Sequence, residues 1–310
     1  MKKIVVIAGP TATGKTRLAV ALAKRFGGEV ISADSMQIYK GMDIGSAKPT
    51  AEEMDGVPHH LIDVAEPGEP FSVARFVELA RRAAEDILAR GRLPMLAGGT
   101  GLYISSFVDN VQFTLSETDY ALRGQLFAEA ETYGCETLHR RLAEIDPQAA
   151  EKIHPNNVKR VVRALELYET TGLTITEQNE RSKTEPPLYS PVMLALTAER
   201  DILYERINRR VDLMEQAGLF AEVEALRAAG CTRDMQSMQG IGYKEVFAYL
   251  EGETSRGDCL DLVKKNSRNY AKRQLTWFKR DPRYQWLDCM DEELEGRAAG
   301  IVGRFLLENC

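Results

Sequence analysis

The chain has 310 residues, enough at roughly 150 residues per domain for about two domains with buried cores. Hydrophobic residues make up 44% and charged residues 28%, alongside 24 Gly and 12 Pro, which excludes a collagenous or wholly disordered chain. Forty basic residues against 46 acidic ones leave a net charge of −6, so the chain is no general polycation, and any nucleic-acid contact has to come from local patches. The longest apolar runs, such as Ile4 to Ala8 and Val192 to Leu196, fall far short of the roughly 20 residues of a bilayer-spanning helix. Met1-Lys2-Lys3-Ile4 reaches its first Gly after a strand's length of apolar residues, too short for a signal-peptide core, so a cytoplasmic location and no membrane partner are expected. Cysteines at 135, 231, 259, 289 and 310 form no Cys-x-x-Cys pair, and their odd number fits neither a disulfide framework nor a structural zinc site.

In chain order, Lys3 to Ala8 is a short β-branched run, followed by a Gly-Pro-Thr loop and a helix from Lys15 to Phe26, where Leu18, Leu22 and Phe26 recur at helical spacing. Glu29 to Ala33 reads as a second buried strand. Val73, Phe76, Val77, Ala80, Ala84, Ile87 and Leu88 define an amphipathic helix ended by Gly91, and Leu93 to Ala97 supplies another strand. Strands alternating with helices predict an α/β fold, a doubly wound and mostly parallel sheet flanked by helices on both faces. From about Ser116 to Pro187 helical periodicity runs without strand signals and closes in Thr184-Glu185-Pro186-Pro187, which predicts an inserted all-helical domain. Pro191 to Thr197 returns as a strand, and the rest is helical apart from a short run near Trp286. The expected division is therefore 1–115 for the first part of the core, 116–187 for the insertion and 188–310 for the remainder of the core. The acidic stretch from Asp288 to Glu295 reads as a solvated face.

Gly9-Pro10-Thr11-Ala12-Thr13-Gly14-Lys15-Thr16 is a phosphate loop lying between a predicted strand and a predicted helix. Its glycines let backbone N–H groups converge on phosphate oxygens, the helix N-terminus adds a partial positive charge, Lys15 supplies a mobile cation, and Thr16 offers a hydroxyl to magnesium. The motif specifies a polyphosphate without specifying a nucleoside triphosphate, and no Asn-Lys-x-Asp guanine box follows. Both Val30 to Asp34 and His60 to Asp63 are apolar runs ending in Asp of the kind that organises magnesium, while Asp63 reads equally well as a turn or cap residue. Ligands of a doubly wound sheet bind beyond the carboxyl ends of its strands. Asp34-Ser35-Met36-Gln37 and Gly98-Gly99-Thr100-Gly101 should therefore face the same crevice as the phosphate loop, although either stretch is also an ordinary strand-to-helix turn by composition.

These stretches carry a family likeness. Gly-Pro-Thr-Ala-Thr-Gly-Lys-Thr, Asp-Ser-Met-Gln-Ile-Tyr-Lys-Gly-Met-Asp-Ile-Gly-Ser-Ala-Lys-Pro and Gly-Gly-Thr-Gly-Leu-Tyr, in this order, closely resemble the bacterial tRNA dimethylallyltransferase (tRNA isopentenyltransferase) family. The resemblance continues through Ile153 to Asn157, Arg160, Arg163 to Glu166, Arg206 to Met214, Gly240 to Tyr243, Lys272-Arg273-Gln274 and Trp277, and so covers nearly the whole chain. It implies transfer of a dimethylallyl group from dimethylallyl diphosphate to N6 of the adenosine 3′-adjacent to the anticodon of tRNA, with release of pyrophosphate. On that reading Asp34 is the general base, and Lys15, Thr100 and Arg210 are the other catalytic groups. Gly9, Thr11, Ala12, Thr13, Gly14, Lys15, Thr16, Arg206 and Arg210 hold the diphosphate, with Thr16 and Asp34 the candidate ligands of a Mg2+ cofactor. Arg206 and Arg210, four apart on a helix, share a face and would clamp the diphosphate, unless Glu205 or Asp212 pairs with them instead.

The acceptor partner would be the anticodon stem-loop, contacted by Asp34, Ser35, Met36, Gln37 and Thr100 and, in the insertion, by Arg123, Lys159, Arg160 and Arg163; the enzyme is expected to be a monomer. Lys264 to Arg283 adds eight basic residues and one acidic residue around Tyr270, Trp277 and Phe278, with Trp277 expected in the core. A kinase sharing the phosphate loop, a nucleotide-dependent RNA-binding module and a prenyltransferase acting on free adenine nucleotide are the rival readings. The Arg-rich helical insertion favours a macromolecular acceptor over the last.

Overall fold

The structure is a computed structural model that describes residues 1–113, 119–182 and 185–308. Ser116, the expected start of the helical insertion, Thr184 of the stretch that closes it, and Cys310 lie outside the described residues. The chain forms two compact units, Met1–Val108 with Leu188–Cys310, and Asp109–Pro187.

In the first unit, strands β1 (Lys2–Ala8), β2 (Gly28–Ser32), β3 (His59–His60), β4 (Leu93–Gly98), β5 (Tyr189–Thr197) and β6 (Tyr284–Asp288) form one sheet in the order β3-β2-β4-β1-β5-β6, every pair parallel. Helices α1 (Lys15–Phe26), α2 (Ala51–Met54), α3 (Val73–Ala89) and α4 (Gly101–Val108) belong to its first segment. The second unit contains α5 (Tyr120–Tyr133), α6 (Cys135–Ile145), α7 (Pro147–Lys152), α8 (Val158–Thr171) and α9 (Ile175–Arg181). The chain then returns to the first unit with α10 (Arg200–Ala217), α11 (Leu219–Ala228), α12 (Tyr243–Leu250), α13 (Arg256–Phe278) and α14 (Leu294–Leu307).

The sheet is covered on both faces, which is why β1 is an unbroken apolar run. Val5 and Ile7 join α1 and α14 in one cluster with Leu18, Leu22, Met95, Leu194, Ala298 and Val302. Ile4 and Val6 alternate to the other face and are buried as well, as are Phe76, Ala80, Ala84 and Ile87 of α3 and Ile104 and Phe107 of α4. There Phe76 stacks on Tyr103 with centroids 4.2 Å apart, and Phe107 stacks on Tyr189 at 5.0 Å. The two-residue β3 has no hydrophobic periodicity to announce it. The acidic stretch from Asp288 spans the end of β6 and the entry to α14, whose apolar side is buried, so only part of it is a solvated face.

The helical unit has its own core, in which Leu126 of α5, Leu138 and Leu142 of α6, Ala149 of α7, and Val161, Val162 and Leu165 of α8 pack together. Asp146 caps α7, accepting the Ala149 N–H at 3.0 Å, and also takes hydrogen bonds from the Thr176 backbone and hydroxyl, which ties α9 to the helix pair before it.

Candidate active site

All the first unit's functional turns follow the carboxyl ends of strands. The phosphate loop follows β1, the Asp34 turn follows β2 and the Gly-Gly-Thr turn follows β4. Close packing requires glycine at two of these points. A Cβ on Gly9, at φ 140°, would meet Leu196 O at 2.7 Å, and one on Gly98 would meet Ala33 O at 2.2 Å. Gly14, at φ 82°, precedes α1 without any side-chain cap, so among the described residues no capping side chain competes for the first N–H groups of this twelve-residue helix, which face the loop. Ala12 also has positive φ, at 65°.

The turns border a cavity of about 850 Å³ lined by Thr11, Ala12, Gly14, Lys15, Thr16, Asp34, Ser35, Met36, Gln37, Arg206 and Arg210, with further residues from α10, α12 and α13. Gly9, Thr13 and Thr100 lie outside this lining. Thr13 is buried, its hydroxyl donating to Pro10 O at 2.8 Å, so it shapes the loop. Thr100 works from behind the surface, its Oγ1 accepting the Ser35 N–H at 3.0 Å while its own N–H donates to Ala33 O. Tyr270 of α13 lines the same cavity, its phenol pushed up to about 12 by burial and the nearby Asp34 carboxylate.

Among the described residues Lys15, Arg206 and Arg210 have no carboxylate ion-pair partner, whereas Arg17 and Lys244, which also line the cavity, stand 3.5 and 3.6 Å from Glu295 and Glu245. The Lys15 ammonium donates to Pro10 O at 2.8 Å, and its pKa is lowered to about 8 by burial and then by the neighbouring Arg210. Arg210 donates to the Thr11 hydroxyl at 3.1 Å and is itself held below the usual arginine range by burial. Arg206 also lines the cavity, but its guanidinium contacts Met290 Sδ at 3.3 Å. Asp212 pairs with Lys264 at 2.6 Å rather than with either arginine.

Facing them, Asp34 is held through one oxygen. Oδ1 accepts the Met36 N–H at 2.9 Å and the Gln37 N–H at 3.4 Å, while Oδ2 takes no hydrogen bond among the described residues. Gln37 is fixed at both ends, its Oε1 accepting from the Ser32 hydroxyl at 2.9 Å and its Nε2 donating to Ala47 O at 3.1 Å. Asp63 does not line the cavity; it occupies a turn at φ 55° and pairs with Lys48 at 2.5 Å. Among the described residues no cluster of three or more His, Cys, Asp or Glu side chains suits a metal. The donor set at the cavity, the Thr16 hydroxyl and the Asp34 carboxylate, instead fits a magnesium ion that takes most of its oxygens from phosphate and water.

Several residues that build the cavity are not among the expected site residues. Glu222 of α11 accepts the N–H groups of Asp43, Ile44 and Gly45 and the Tyr243 hydroxyl, at 2.7 to 3.0 Å, and so pins the loop whose Gly45, Ser46 and Ala47 line the cavity. Gln274 of α13 accepts the Thr11 N–H at 3.0 Å and donates to Gly99 O at 2.9 Å. Gln274 has a signal in the sequence, since it lies in the Lys272-Arg273-Gln274 stretch of the family likeness, whereas Glu222 falls outside every quoted stretch. Trp277 is 37% exposed and packs over Gly101, where a Cβ would come within 2.2 Å of its ring, so it is only partly in the core.

In the helical unit, Arg123 and Arg163 both pair with Glu166, which is fully buried, at 2.7 and 3.1 Å. Lys159 and Arg160 are exposed and have no ion-pair partner among the described residues.

The family model described as IPP transferase matches residues 37–281, and that described as Isopentenyl transferase matches residues 2–65. The tRNA dimethylallyltransferase of Halalkalibacterium halodurans is 53% identical over 302 residues, covering 97% of this chain and 95% of its own. The chain belongs to the tRNA dimethylallyltransferase family. It is thus an enzyme, a prenyltransferase of tRNA modification. The same enzyme of Geobacillus kaustophilus is 51% identical over 312 residues, covering 99% of this chain and 98% of its own. Among solved structures, the full-length tRNA isopentenylpyrophosphate transferase of Bacillus halodurans superposes with a TM-score of 0.72 at 49% identity, covering 98% of each chain. A eukaryotic dimethylallyltransferase captured acting on tRNA gives 0.83 at 31% identity, covering 99% of this chain and 80% of its own. The α/β class with a parallel sheet and a helical insert is that of these structures. No helix among the described residues is long and apolar enough to cross a membrane.

Proposed function

We propose that this enzyme transfers the dimethylallyl group of dimethylallyl diphosphate to N6 of the adenosine 3′-adjacent to the anticodon, releasing pyrophosphate, and that it does so in the cytoplasm. The observation that carries the reading is one cavity lined both by Lys15 and Arg210, cations without carboxylate partners, and by Asp34, a carboxylate with one open oxygen. The adenine N6 lone pair is delocalised into the ring, so the amine becomes an effective nucleophile only as it loses a proton. Asp34 Oδ2 accepts that proton as the N6–C1 bond forms, and the C1–O bond breaks with its electron pair passing to the departing pyrophosphate. Oδ1, bound to two backbone N–H groups, keeps the carboxylate aimed.

Negative charge growing on the leaving group is met by Lys15, Arg210 and the first N–H groups of α1, with Arg206 beside them. The Thr100 hydroxyl, which accepts the Ser35 N–H, serves the bridging oxygen of the diphosphate indirectly, by fixing the acceptor turn. Magnesium, when bound, would be held chiefly by the Thr16 hydroxyl with phosphate and water oxygens, the Asp34 carboxylate being at most a secondary ligand, and would further neutralise the diphosphate. Gly9 and Thr13 serve the diphosphate indirectly, by fixing the loop. Ser35, Met36 and Gln37 form the acceptor side, where the base must enter flipped from its stack, since an amine inside the stack cannot reach the electrophile. In the helical unit, Lys159 and Arg160 offer phosphate contacts. Arg123 and Arg163 bring two positive charges to one buried carboxylate and leave a net positive face.

Incubation with tRNA, magnesium and dimethylallyl diphosphate should yield one pyrophosphate per prenylated adenosine by mass spectrometry of the digested tRNA, and ATP should give no phosphorylated product. ADP formation coupled to an acceptor, without prenylated tRNA, would establish the kinase instead.

A further inference from the structure

Helix α13 reaches the cavity through a residue that belongs to neither the phosphate loop nor the acceptor turn. Gln274 is 5% exposed, and its amide is fully committed in direction. Oε1 accepts the Thr11 N–H at 3.0 Å, and Nε2 donates to Gly99 O at 2.9 Å. Only a side chain with an acceptor and a donor on one planar group satisfies both contacts; an ionised carboxylate has no proton for Gly99 O, and a thioether satisfies neither. The space is shaped for this bridge, since a Cβ on Gly99 would lie 2.2 Å from Nε2. Next to Gly99 in the chain, Thr100 holds the Ser35 N–H beside Asp34. The bonds of Gln274 and Thr100, joined through the Gly99–Thr100 peptide, thus connect the loop that takes the diphosphate to the turn that carries the base.

We infer that Gln274 is a positioning residue that sets the distance between the two reacting partners, coupling the phosphate loop to the acceptor turn without touching either substrate's reacting atoms. The inference rests on the prenyl-transfer reading above. Bimolecular transfer between a carbon fixed by its diphosphate and a nitrogen fixed by a separate turn is sensitive to relative displacement, and about 1 Å of misplacement costs on the order of 100-fold in rate. The bridge matters for the rate of the chemical step more than for either binding constant.

The test compares wild type with Gln274→Glu and Gln274→Met by single-turnover prenylation across pH, with dissociation constants for tRNA and for dimethylallyl diphosphate measured separately. Near neutral pH both variants should be slower by roughly 10- to 100-fold, with each dissociation constant within about threefold of wild type. A protonated glutamic acid has a carbonyl for the Thr11 N–H and an O–H for Gly99 O, so it reproduces the amide. The ratio of the Gln274→Glu rate to the wild-type rate should therefore climb as pH falls, while that of Gln274→Met stays flat.

A second readout needs no turnover. Pyrophosphate should slow backbone hydrogen exchange over residues 98–103 in wild type and leave it unchanged in Gln274→Met. Rates within about twofold of wild type in both variants, a loss that follows donor affinity alone with a pH-independent ratio, or equal exchange protection in wild type and Gln274→Met would overturn the assignment. A wild-type enzyme that makes no prenylated tRNA would instead remove the underlying reading, and the exchange experiment would still decide whether the loop and the turn are coupled.

Discussion

At the amino end of the sheet Glu29 is 2% exposed, yet Arg90 clasps both of its carboxylate oxygens, His60 Nε2 lies 2.8 Å from one of them, and Arg92 stands 3.5 Å from the other. The Arg90 guanidinium and His60 hold this carboxyl down to about 2. At the carboxyl end the arrangement is inverted. Burial depresses the charged forms of Lys15 and Arg210, with Arg210 adding to the effect on Lys15, and the two donate only to a loop carbonyl and a loop hydroxyl and face an Asp34 whose second oxygen is open among the described residues. Charge that must only hold the fold is neutralised within the chain, whereas charge that must receive a ligand is kept waiting for the ligand's own charge. The helical unit repeats the contrast on a smaller scale, with Arg123 and Arg163 sharing Glu166 while Lys159 and Arg160 stand in solvent.

The amino end gives the largest expected change in stability. Glu29→Gln should lower the unfolding free energy by about 1–3 kcal/mol, the range for disrupting a buried charge-assisted hydrogen-bond set whose cations are part exposed and can rehydrate. Catalysis per folded molecule should not change. The folded-state pKa of Glu29 is depressed, so its contribution is present above about pH 4.5 and is lost as pH falls towards about 2. Urea titrations of wild type should show that acid-side loss, and Glu29→Gln should lack this part of it. Equal stability of the two at pH 7 would remove the contrast between the ends.

Next is the pH dependence of donor binding. Burial lowers the Lys15 pKa to about 8 from 10.5, so below about pH 8 the charged ammonium costs stability, a cost relieved as pH rises from 8 towards 10.5. A diphosphate restores the preference for the charged form. Its dissociation constant should therefore weaken by up to about tenfold per pH unit above 8, and the same titration on Lys15→Met should be flat over that range. Calorimetry at several pH values checks both statements, and a flat wild-type profile would show that Lys15 does not meet the diphosphate.

The smallest effect belongs to the helical unit. Changing Lys159 and Arg160 together to Ala should reduce the slope of log affinity for tRNA against log salt by up to about two, with donor binding unaltered. Filter binding over a range of salt measures it, and an unchanged slope would make these residues a solvated face only.

What the sequence makes legible follows from the range of the physics involved. The phosphate loop, Asp34 and the Gly-Gly-Thr turn are local patterns at strand ends, and strand-helix alternation places them at one edge of a parallel sheet before any contact is known. The amphipathic helix predicted from Val73 to Leu88 is α3, Val73–Ala89, because its apolar spacing is set by the helix itself. Gln274 and Glu222 could not be found that way. Gln274 joins residues 263 and 175 positions away in the chain, and Glu222 binds a loop 177 to 179 positions away. Arg206 and Arg210 share a face as their spacing requires, but only Arg210 turns to the phosphate loop, since Met290 provides the other with a sulfur contact invisible to helical periodicity. Asp63 reads like a metal-binding strand end in sequence, and the buried Lys48, 7% exposed, claims it.

The most direct measurement is the single-turnover rate of prenyl transfer by Asp34→Asn, taken with separate dissociation constants for tRNA and donor. The substitution keeps an oxygen for the Met36 and Gln37 N–H groups and removes the charge that accepts the N6 proton. The rate should fall roughly 100- to 10,000-fold while both dissociation constants change little. A rate within a few fold of wild type would contradict Asp34 as the base, and loss of donor binding in step with the rate would make it a magnesium ligand instead.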